Sequence, residues 1–359
     1  MRIFFSTSWA LRTALIVSVA VANAGAQQMQ AAGQNAANTQ FQILPIRNNV
    51  YMLAGDGANI ALSVGPDGVL MVDSGTLANS DRLLAAVQQL QHQVATNGLQ
   101  SWSFAAETRS NLPRMISPPA PPKPIRYIIN TSLDADHTGG NEKLSQAGAT
   151  ITGGNVAGNI ADAGTGASVI AHENVLLRMT ADKAPFRSLP TDTYHMDSMK
   201  LSHFFNGEGI LILHQAAAHT DGDSLVYFRG SDVIAAGEIF SIENYPVIDI
   251  ERGGSIQGVI DGLNRILDMS IAEFRTEGGT MVIPAHGRLC DSADVAYYRD
   301  MVTIIRDRVQ DLIRKGKTLQ EIKAAKPTMD YDRRYGKATG PWTTDMFIEA
   351  VYQSLIRKK

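Results

Sequence analysis

An imidazole, two carboxylates and a hydroxyl follow one short apolar run near the middle of the chain. The stretch reads IRYIINTSLDADHTGGN over residues 125–141, and its β-branched start predicts a buried strand that ends at Asn130. Polar side chains then recur at every second position, so they share one face of an extended segment. They are Ser132, Asp134 and Asp136, with His137 directly after them. These residue types, presented together at a strand end, predict a metal site or an acid–base site.

Three more apolar β runs end in a side chain that can bind a metal ion or transfer a proton. These side chains are His219, Glu238 and His286, each close to glycine or another small residue. Loops at one edge of a sheet are held by a rigid scaffold, so groups from several strand ends can meet there. The sequence therefore predicts one cleft that all four strand ends supply.

The elements that would position this cleft follow from the hydrophobic pattern. Short strands separated by glycine-rich turns are predicted from residue 41 onwards, with a helix over residues 79–92. Residues 96–123, which include the proline-rich segment 113–124, are predicted to be irregular. A strand is predicted over residues 148–151, and a second group of strands lies between residues 193 and 236. The last part of the chain predicts three helices, over residues 293–315, 319–325 and 343–358.

Composition excludes some classes of function. The chain has 359 residues and a net charge of -3, with 44% hydrophobic and 19% charged residues, which is typical of a globular protein. It has no basic stripe, so nucleic-acid binding is not expected. Cys290 is the only cysteine, so the fold has no disulfide framework, and a buried, inert thiol is expected there.

The N-terminus differs in composition from the rest of the chain. An apolar run over residues 14–22 lies between arginines and small residues, as in a secretory signal peptide that is cleaved near residue 26. Residues 27–40 are polar and of low complexity, which predicts a disordered linker. We therefore expect a periplasmic or secreted protein, with no membrane span after signal removal because no other stretch is long and apolar enough.

The ordered set of motifs resembles the metallo-β-lactamase fold superfamily. It consists of Asp-His-x-Gly-Gly-Asn at residue 136, Ala-His-Thr around His219, Gly-Glu-Ile-Phe around Glu238 and Pro-Ala-His-Gly around His286. Asp73 also resembles the superfamily's structural aspartate. The resemblance implies an α/β fold, a four-layer αββα sandwich over residues 41–290, with one or two metal ions at one edge. Residues 291–359 would be a C-terminal helical extension packed on the sandwich or used in a dimer contact.

The metal-binding run departs from the superfamily's usual His-x-His-x-Asp-His. Ser132 and Asp134 stand where the two leading histidines are expected. By position, the resemblance assigns Asp136, His137 and His286 to the second metal site. It assigns His219 to the first metal site, where Asp134 and Ser132 could also bind. Glu238 would bridge the two metal ions or cap the site.

This ligand set predicts one or two divalent metal ions. Carboxylates suit harder ions than histidines do, so Mn or Fe competes better with Zn here than at a three-histidine site. Three further polar groups are expected beside the ligands rather than on the metal. They are Ser132, which is expected to bond the backbone, and Asp223 and His214.

Two functions remain open on the sequence. The favoured one is an exported metal-dependent hydrolase of a small molecule, in which Asp136 orients a metal-activated water and accepts its proton. Ester, lactone, amide, phosphate ester and sulfate ester are all open as substrates. The alternative is a catalytically degenerate member that binds a small ligand or metal without turnover, which the loss of two typical histidines supports. The oligomeric state is not predicted.

Overall fold

Two β-sheets face each other, and the apolar side chains between them form the central core. The computed structural model describes residues 41–106, 123–150, 166–201, 204–270 and 278–357, with side chains through residue 95 in the first range. The core side chains come from the inner faces of both sheets, for example Leu70 and Ile129 from one and Val226 and Ile283 from the other. These apolar residues alternate with outward-facing ones, as expected for packed sheets.

The first sheet contains the strands that lead to the central motif. Its seven strands stand in sequence order, antiparallel from the first to the fourth and parallel from the fourth to the seventh. They are β1 (Gln42–Arg47), β2 (Val50–Ala54), β3 (Ile60–Gly65), β4 (Gly68–Val72), β5 (Ile125–Ile129), β6 (Ser168–His172) and β7 (Asp192–Tyr194). The C-terminal ends of the parallel strands therefore lie at one edge of the sheet.

The second sheet contains the strands that lead to the other predicted site residues. It has six strands, β8 (Ser198–Lys200), β9 (Ile210–Gln215), β10 (Asp223–Phe228), β11 (Val233–Ala235), β12 (Met281–Ile283) and β13 (Cys290–Asp291). Their spatial order is β13-β12-β11-β10-β9-β8. Only β11 and β12 pair in parallel, so the segments that follow them leave the sheet on the same side. Glu238 and His286 lie in those two segments.

Helices cover the outer face of each sheet. They are α1 (Ser80–Ala106), α2 (Ala135–Thr138), α3 (Asn141–Gln146), α4 (Glu173–Ala181), α5 (Ile256–Met269), α6 (Ser292–Arg314), α7 (Leu319–Ala324), α8 (Asp332–Tyr335) and α9 (Thr344–Ile356). Leu83 and Val87 of α1 and Leu144 of α3 pack on the first sheet. Ile256 of α5, Val302 of α6 and Val351 of α9 share one core with the second sheet. The result is an αββα sandwich with C-terminal helices, so the predicted fold is confirmed.

Two predicted elements differ in the structure. The prediction of irregular structure from residue 96 is wrong as far as Ala106, because α1 continues to that residue. Once a helix has formed, adding a residue costs little, and one internal glycine adds only about 1 kcal/mol. The strand predicted at 148–151 is not formed over 148–150. There the Arg126 guanidinium donates hydrogen bonds to the carbonyl oxygens of Ala149 and Thr150 at 3.0 and 2.8 Å. Residue 151 and most of the proline-rich segment lie outside the described residues.

The described residues also bear on the predicted absence of a membrane span and on the state of Cys290. Within these ranges no helix is both long and apolar enough to cross a membrane. Cys290 is a free, buried thiol, its Sγ donates to the Arg288 carbonyl, and burial raises its pKa to about 12. The thiol therefore has little thiolate character at neutral pH. The signal peptide and linker predicted for residues 1–40 lie outside the described residues.

Candidate metal centre

The turn after β5 places the central motif at the edge of the first sheet. Asp134 is extended and ends the turn, and the short helix α2 then carries Asp136 and His137. Two glycines follow because the chain passes very close to the segment after β4. A Cβ at Gly140 would lie 2.2 Å from the Ser74 carbonyl oxygen, so a side chain there would push the motif away from the sheet.

Asp73, at the end of β4, fixes the orientation of His137. Asp73 has a left-handed backbone, with φ of 67°, and its carboxylate accepts hydrogen bonds from the Thr131 amide and hydroxyl at 2.8 and 2.7 Å. His137 Nδ1 lies 2.9 Å from Asp73 Oδ2. A carboxylate on Nδ1 leaves Nε2 of the fully buried ring to face the cleft, which is the arrangement seen at histidine metal ligands.

Glu238 reaches the cleft from the second sheet. It lies in a 3-10 turn (Gly237–Ile239) directly after β11. Gly237 has φ of 51°, and a Cβ there would lie 2.5 Å from Thr131 Oγ1, so glycine is needed for the two sheets to approach at this point. Glu238 Oε1 lies 3.1 Å from His137 Nε2 and 3.1 Å from His286 Nε2.

Four of the six predicted metal ligands form one cluster. Each of Asp136, His137, Glu238 and His286 offers a ligand atom, and these atoms all lie within 4.8 Å of one another. His286 Nε2 also lies 3.4 Å from Asp136 Oδ2. The side chains of Asp136 and His286 are 28% and 26% exposed, whereas those of His137 and Glu238 are buried. Solvent therefore reaches this four-residue cluster from the Asp136 side.

The other two predicted ligands form a separate ion pair. His219 Nε2 lies 2.8 Å from Asp134 Oδ2, and His219 Nδ1 lies 3.0 Å from the Val247 carbonyl oxygen. Asp134 and His219 are not members of the four-residue cluster. They are close enough to it for the charge of Glu238 to shift the pKa of both.

The three groups predicted to lie beside the ligands bind parts of the backbone. Ser132 Oγ accepts from the Asp134 amide at 3.4 Å. Asp223 accepts from the Thr220 amide and hydroxyl at 2.8 and 3.0 Å, which closes the loop that carries His219. His214 Nε2 lies 2.8 Å from the Asp221 carbonyl oxygen of the same loop. The first of these contacts holds the segment that leads to Asp136 and His137, and the other two hold the loop that carries His219.

The charges of the cluster stabilise one another. Burial alone would lower the pKa of His137, but Asp73 and then Glu238 outweigh it and raise that pKa well above its ordinary value. Burial would likewise raise the pKa of Glu238, but the hydrogen bonds from His137 and His286 hold it well below its usual range. For His219, Asp134 and Asp223 outweigh burial and raise the pKa to about 10.

The four-residue cluster suits a divalent cation in charge and in donor type. Two carboxylates with two protonated imidazoles carry no net charge. The same is true of two carboxylates, two neutral imidazoles and one divalent cation. A cation can therefore replace two protons at this largely buried position without leaving a net charge behind. Two imidazole nitrogens and two carboxylate groups are a donor set that Zn, Mn and Fe accept.

Two cavities are lined in part by the predicted site residues. One of about 770 Å³ is lined in part by Asp134 and His219, and one of about 480 Å³ is lined in part by His286. Both volumes lie in the range typical of small-molecule sites.

Sequence comparison gives the family of the chain. A sequence model of the metallo-beta-lactamase superfamily matches residues 53–286. The chain belongs to this superfamily. A search of curated protein sequences found no match.

Solved structures with the same fold include two of an alkylsulfatase. A double mutant of the sec-alkyl sulfatase PisA1 matches with a TM-score of 0.58 at 15% identity, over 88% of this chain and 50% of that chain. The stereoselective inverting sec-alkylsulfatase Pisa1 from Pseudomonas sp. matches with a TM-score of 0.55 at 14% identity, with the same coverages. DIM-1 metallo-beta-lactamase matches at 14% identity and a TM-score of 0.48, over 74% of this chain and 97% of that chain. The chain thus spans about half the length of the alkylsulfatase chains.

Some residues that contact the site were not anticipated from their sequence. Asp73 was assigned only a structural role, yet it contacts His137 directly. The Val247 carbonyl and the α9 side of the larger cavity carry no motif at all. For Asp73, the signal in the sequence is its position at the end of an apolar run.

Proposed function

We propose that this protein is an exported hydrolase that uses one divalent cation, held by Asp136, His137, Glu238 and His286. The observation that carries the proposal is the convergence of these four ligand atoms within 4.8 Å, with Nδ1 of His137 taken by Asp73. Zn, Mn and Fe are the metals that suit this donor set. Export is inferred from the N-terminal sequence.

A cation bound there would lower the pKa of a water molecule and polarise the bond to be cleaved. Asp136 is the carboxylate of the cluster that solvent reaches most easily, so it can orient that water and accept its proton. His286 Nε2 lies 3.4 Å from Asp136 Oδ2, so both groups can reach the same cation. Asp134 and His219 bind each other and line the larger cavity, so they would contact the substrate rather than a second cation. Hydrolysis of an ester, lactone, amide, phosphate ester or sulfate ester is compatible with this arrangement.

The metal content of the purified protein tests the proposal. We expect about one equivalent of Zn, Mn or Fe per chain by elemental analysis, and turnover of at least one member of a panel of chromogenic esters, phosphates and sulfates. His137→Ala and His286→Ala should each lose most of the metal and the turnover. His219→Ala should keep the metal, because in this proposal His219 is not a ligand. It should lose turnover, because His219 would contact the substrate.

A matched control is His92→Ala, since His92 is exposed on α1 and should change neither readout. Two equivalents of metal, one of them lost in His219→Ala, would contradict the single-cation site. Full metal content in His286→Ala would contradict the assignment of the ligands.

A second candidate function is ligand binding without turnover. The specific observation that favours it is the direct pairing of Asp134 with His219, which occupies the position where the superfamily's first metal site is expected. In that case the protein would hold its metal and bind small molecules, but every member of the chromogenic panel would remain uncleaved.

A further inference from the structure

One residue next to the first sheet, Asn59, holds the turn that carries His286. Asn59 lies directly before β3, and its Nδ2 donates hydrogen bonds to the carbonyl oxygens of Pro284 and Gly287, both at 2.9 Å. Its backbone amide donates to the Ala285 carbonyl at 2.7 Å. Three hydrogen bonds from one residue therefore bind residues 284–287, which we call the His286 turn.

The two side-chain contacts depend on the amide group of Asn59. Each of the two carbonyl oxygens can only accept a hydrogen bond, and the two hydrogens on one amide nitrogen satisfy both of them. Asn59 is 7% exposed, so these contacts are largely shielded from water. A side chain without the two N–H groups would therefore leave both carbonyl oxygens without this partner and release that side of the His286 turn.

The other side of the His286 turn is bound by the segment that follows Glu238. The Ala285 amide donates to the Phe240 carbonyl at 2.9 Å. This contact places His286 relative to Glu238, which precedes Phe240 by two positions. The contacts of Asn59 place His286 relative to the first sheet, whose edge carries the other two residues of the four-residue cluster.

The loop before Asn59 also reaches Asp136. Gly57 has φ of 101°, and a Cβ there would lie 3.4 Å from the Asp136 Cβ, so the backbone of Gly57 lies beside this carboxylate. Residues 57–59 thus connect Asp136 with the His286 turn. Asp136 and His286 are the partly exposed members of the cluster and come from different sheets. Their separation of 3.4 Å therefore depends on contacts between the sheets, such as those of Asn59.

We propose that Asn59 is a positioning residue of the candidate metal centre, which holds His286 Nε2 at the distance from Asp136 that one shared cation requires. The inference rests on the proposed function, because it concerns the affinity for the cation that His286 would bind. Asn59 itself would not contact the cation. Without its two N–H groups the His286 turn is bound on one side only, so His286 would spend less time in the position of a ligand and the metal affinity would fall.

A double-mutant cycle on metal affinity separates this role from a general structural one. The probe is Co²⁺, titrated into the full chain in competition with a chelator. Asn59→Ala should weaken Co²⁺ binding about 10- to 100-fold, the range for residues that support a metal ligand. In a His286→Ala background the same substitution should change the affinity by less than about twofold, because the ligand through which Asn59 acts is gone. Asn59→Ser, which keeps one donor in a smaller side chain, should lose less affinity than Asn59→Ala, and the cycle is repeated with it if Asn59→Ala does not fold.

Asn49→Ala is the matched control. Asn49 lies at the opposite end of the hairpin formed by β2 and β3, and its Nδ2 also donates two hydrogen bonds, to Ser63 Oγ at 3.1 Å and to the Asn206 carbonyl at 2.9 Å. This variant should lose stability but bind Co²⁺ as the wild type does.

Two outcomes would overturn the inference alone. One is a wild type that binds Co²⁺ no more tightly than Asn59→Ala, and the other is an equal loss of affinity from Asn59→Ala with and without His286. A wild type that binds no Co²⁺ would instead refute the proposed function, and the inference would fall with it.

Discussion

The orientation of two imidazoles determines what the candidate metal centre can bind. In both His137 and His219, Nδ1 lies next to an acceptor outside the cleft, Asp73 Oδ2 in one case and the Val247 carbonyl in the other. A hydrogen bond at Nδ1 fixes the ring plane and the tautomer and directs Nε2 into the cleft. Nε2 of His137 then faces Glu238, whereas Nε2 of His219 is taken by Asp134. The same type of support therefore directs Nε2 towards the four-residue cluster in one case and into an ion pair with Asp134 in the other.

Asp73→Asn tests the support of His137. The substitution keeps the shape of the side chain but removes the charge that holds the Nδ1 proton, so the metal affinity should fall about 10- to 100-fold. Competition with a fluorescent chelator measures this affinity. Asp232→Asn is the control, because Asp232 is a buried carboxylate at the opposite end of β11 that binds Tyr227 and Thr280. It should lower stability and leave metal affinity unchanged, and an equal loss of affinity in both variants would mean a general structural effect.

At the scale of elements, a pair of stacked imidazoles joins the two sheets beneath the His219 loop. His172 ends β6 and His214 lies on β9, and their rings stack with centroids 3.6 Å apart and planes 7° apart. His172 Nδ1 accepts from the Asn174 amide at the start of α4, and His214 contacts the Asp221 carbonyl. Burial and then the neighbouring His214 lower the pKa of His172 to about 4. The buried His172 ring is therefore best accommodated in neutral form.

This stack should make stability fall in mild acid. The unfolded chain protonates His172 at its ordinary pKa of 6.5, while the folded chain does so only near 4, so the unfolded state binds more protons between these values and stability decreases as the pH falls. The contribution of His172 over this interval is on the order of 3 kcal/mol. His172→Phe keeps a stacked ring without the titration, so its free energy of unfolding, measured by urea denaturation, should lose less between pH 6.5 and 4 than that of the wild type. The missing hydrogen bond at the start of α4 lowers its stability by the same amount at every pH.

His92→Phe, at an exposed position on α1, is the control and should keep the wild-type pH dependence. Parallel pH profiles for His172→Phe and the wild type would show that His172 is not the group that titrates. The charged and titratable neighbours of the stack are His195, Tyr194, Asp221, Arg265 and Asp223, and all of them are present in both proteins.

Strand ends and their polar residues were predictable from the sequence because apolar runs and glycine turns are local signals. The sequence motifs therefore predicted the sandwich, and β5 and β11 each end within a residue or two of the predicted point. The separation of Asp134 and His219 from the cluster was not predictable. It depends on a contact of 2.8 Å between residues 85 positions apart in the chain, and motif order carries no information on such a distance. The length of α1 was missed because helix propagation depends weakly on each residue.

At the scale of the whole molecule, the C-terminal helices belong to the same core as the second sheet. Tyr245, in the loop after β11, stacks on Phe347 of α9 with centroids 4.7 Å apart, and Tyr298 of α6 contacts Phe240 at 5.2 Å. Val351 and Ile322 join Ile256 and Val259 in this apolar cluster. A segment packed in this way has no separate core of its own, so we expect it to unfold together with the sandwich. The same packing positions the residues of α9 that line the larger cavity.

Phe347→Ala tests this shared core. Phe347 is fully buried, and removing its ring should lower the free energy of unfolding by about 3–5 kcal/mol, since the cavity left behind cannot close completely. Chemical denaturation should show one transition for far-UV circular dichroism and for the near-UV signal of the buried tyrosines, shifted equally to lower denaturant. Met329→Ala, at a position 65% exposed in the same C-terminal region, should change the free energy of unfolding by less than about 0.5 kcal/mol. Two separate transitions, with only the first shifted by Phe347→Ala, would mean that the C-terminal helices form an independent unit. The residues of α9 that line the larger cavity would then be able to detach without unfolding the candidate metal centre.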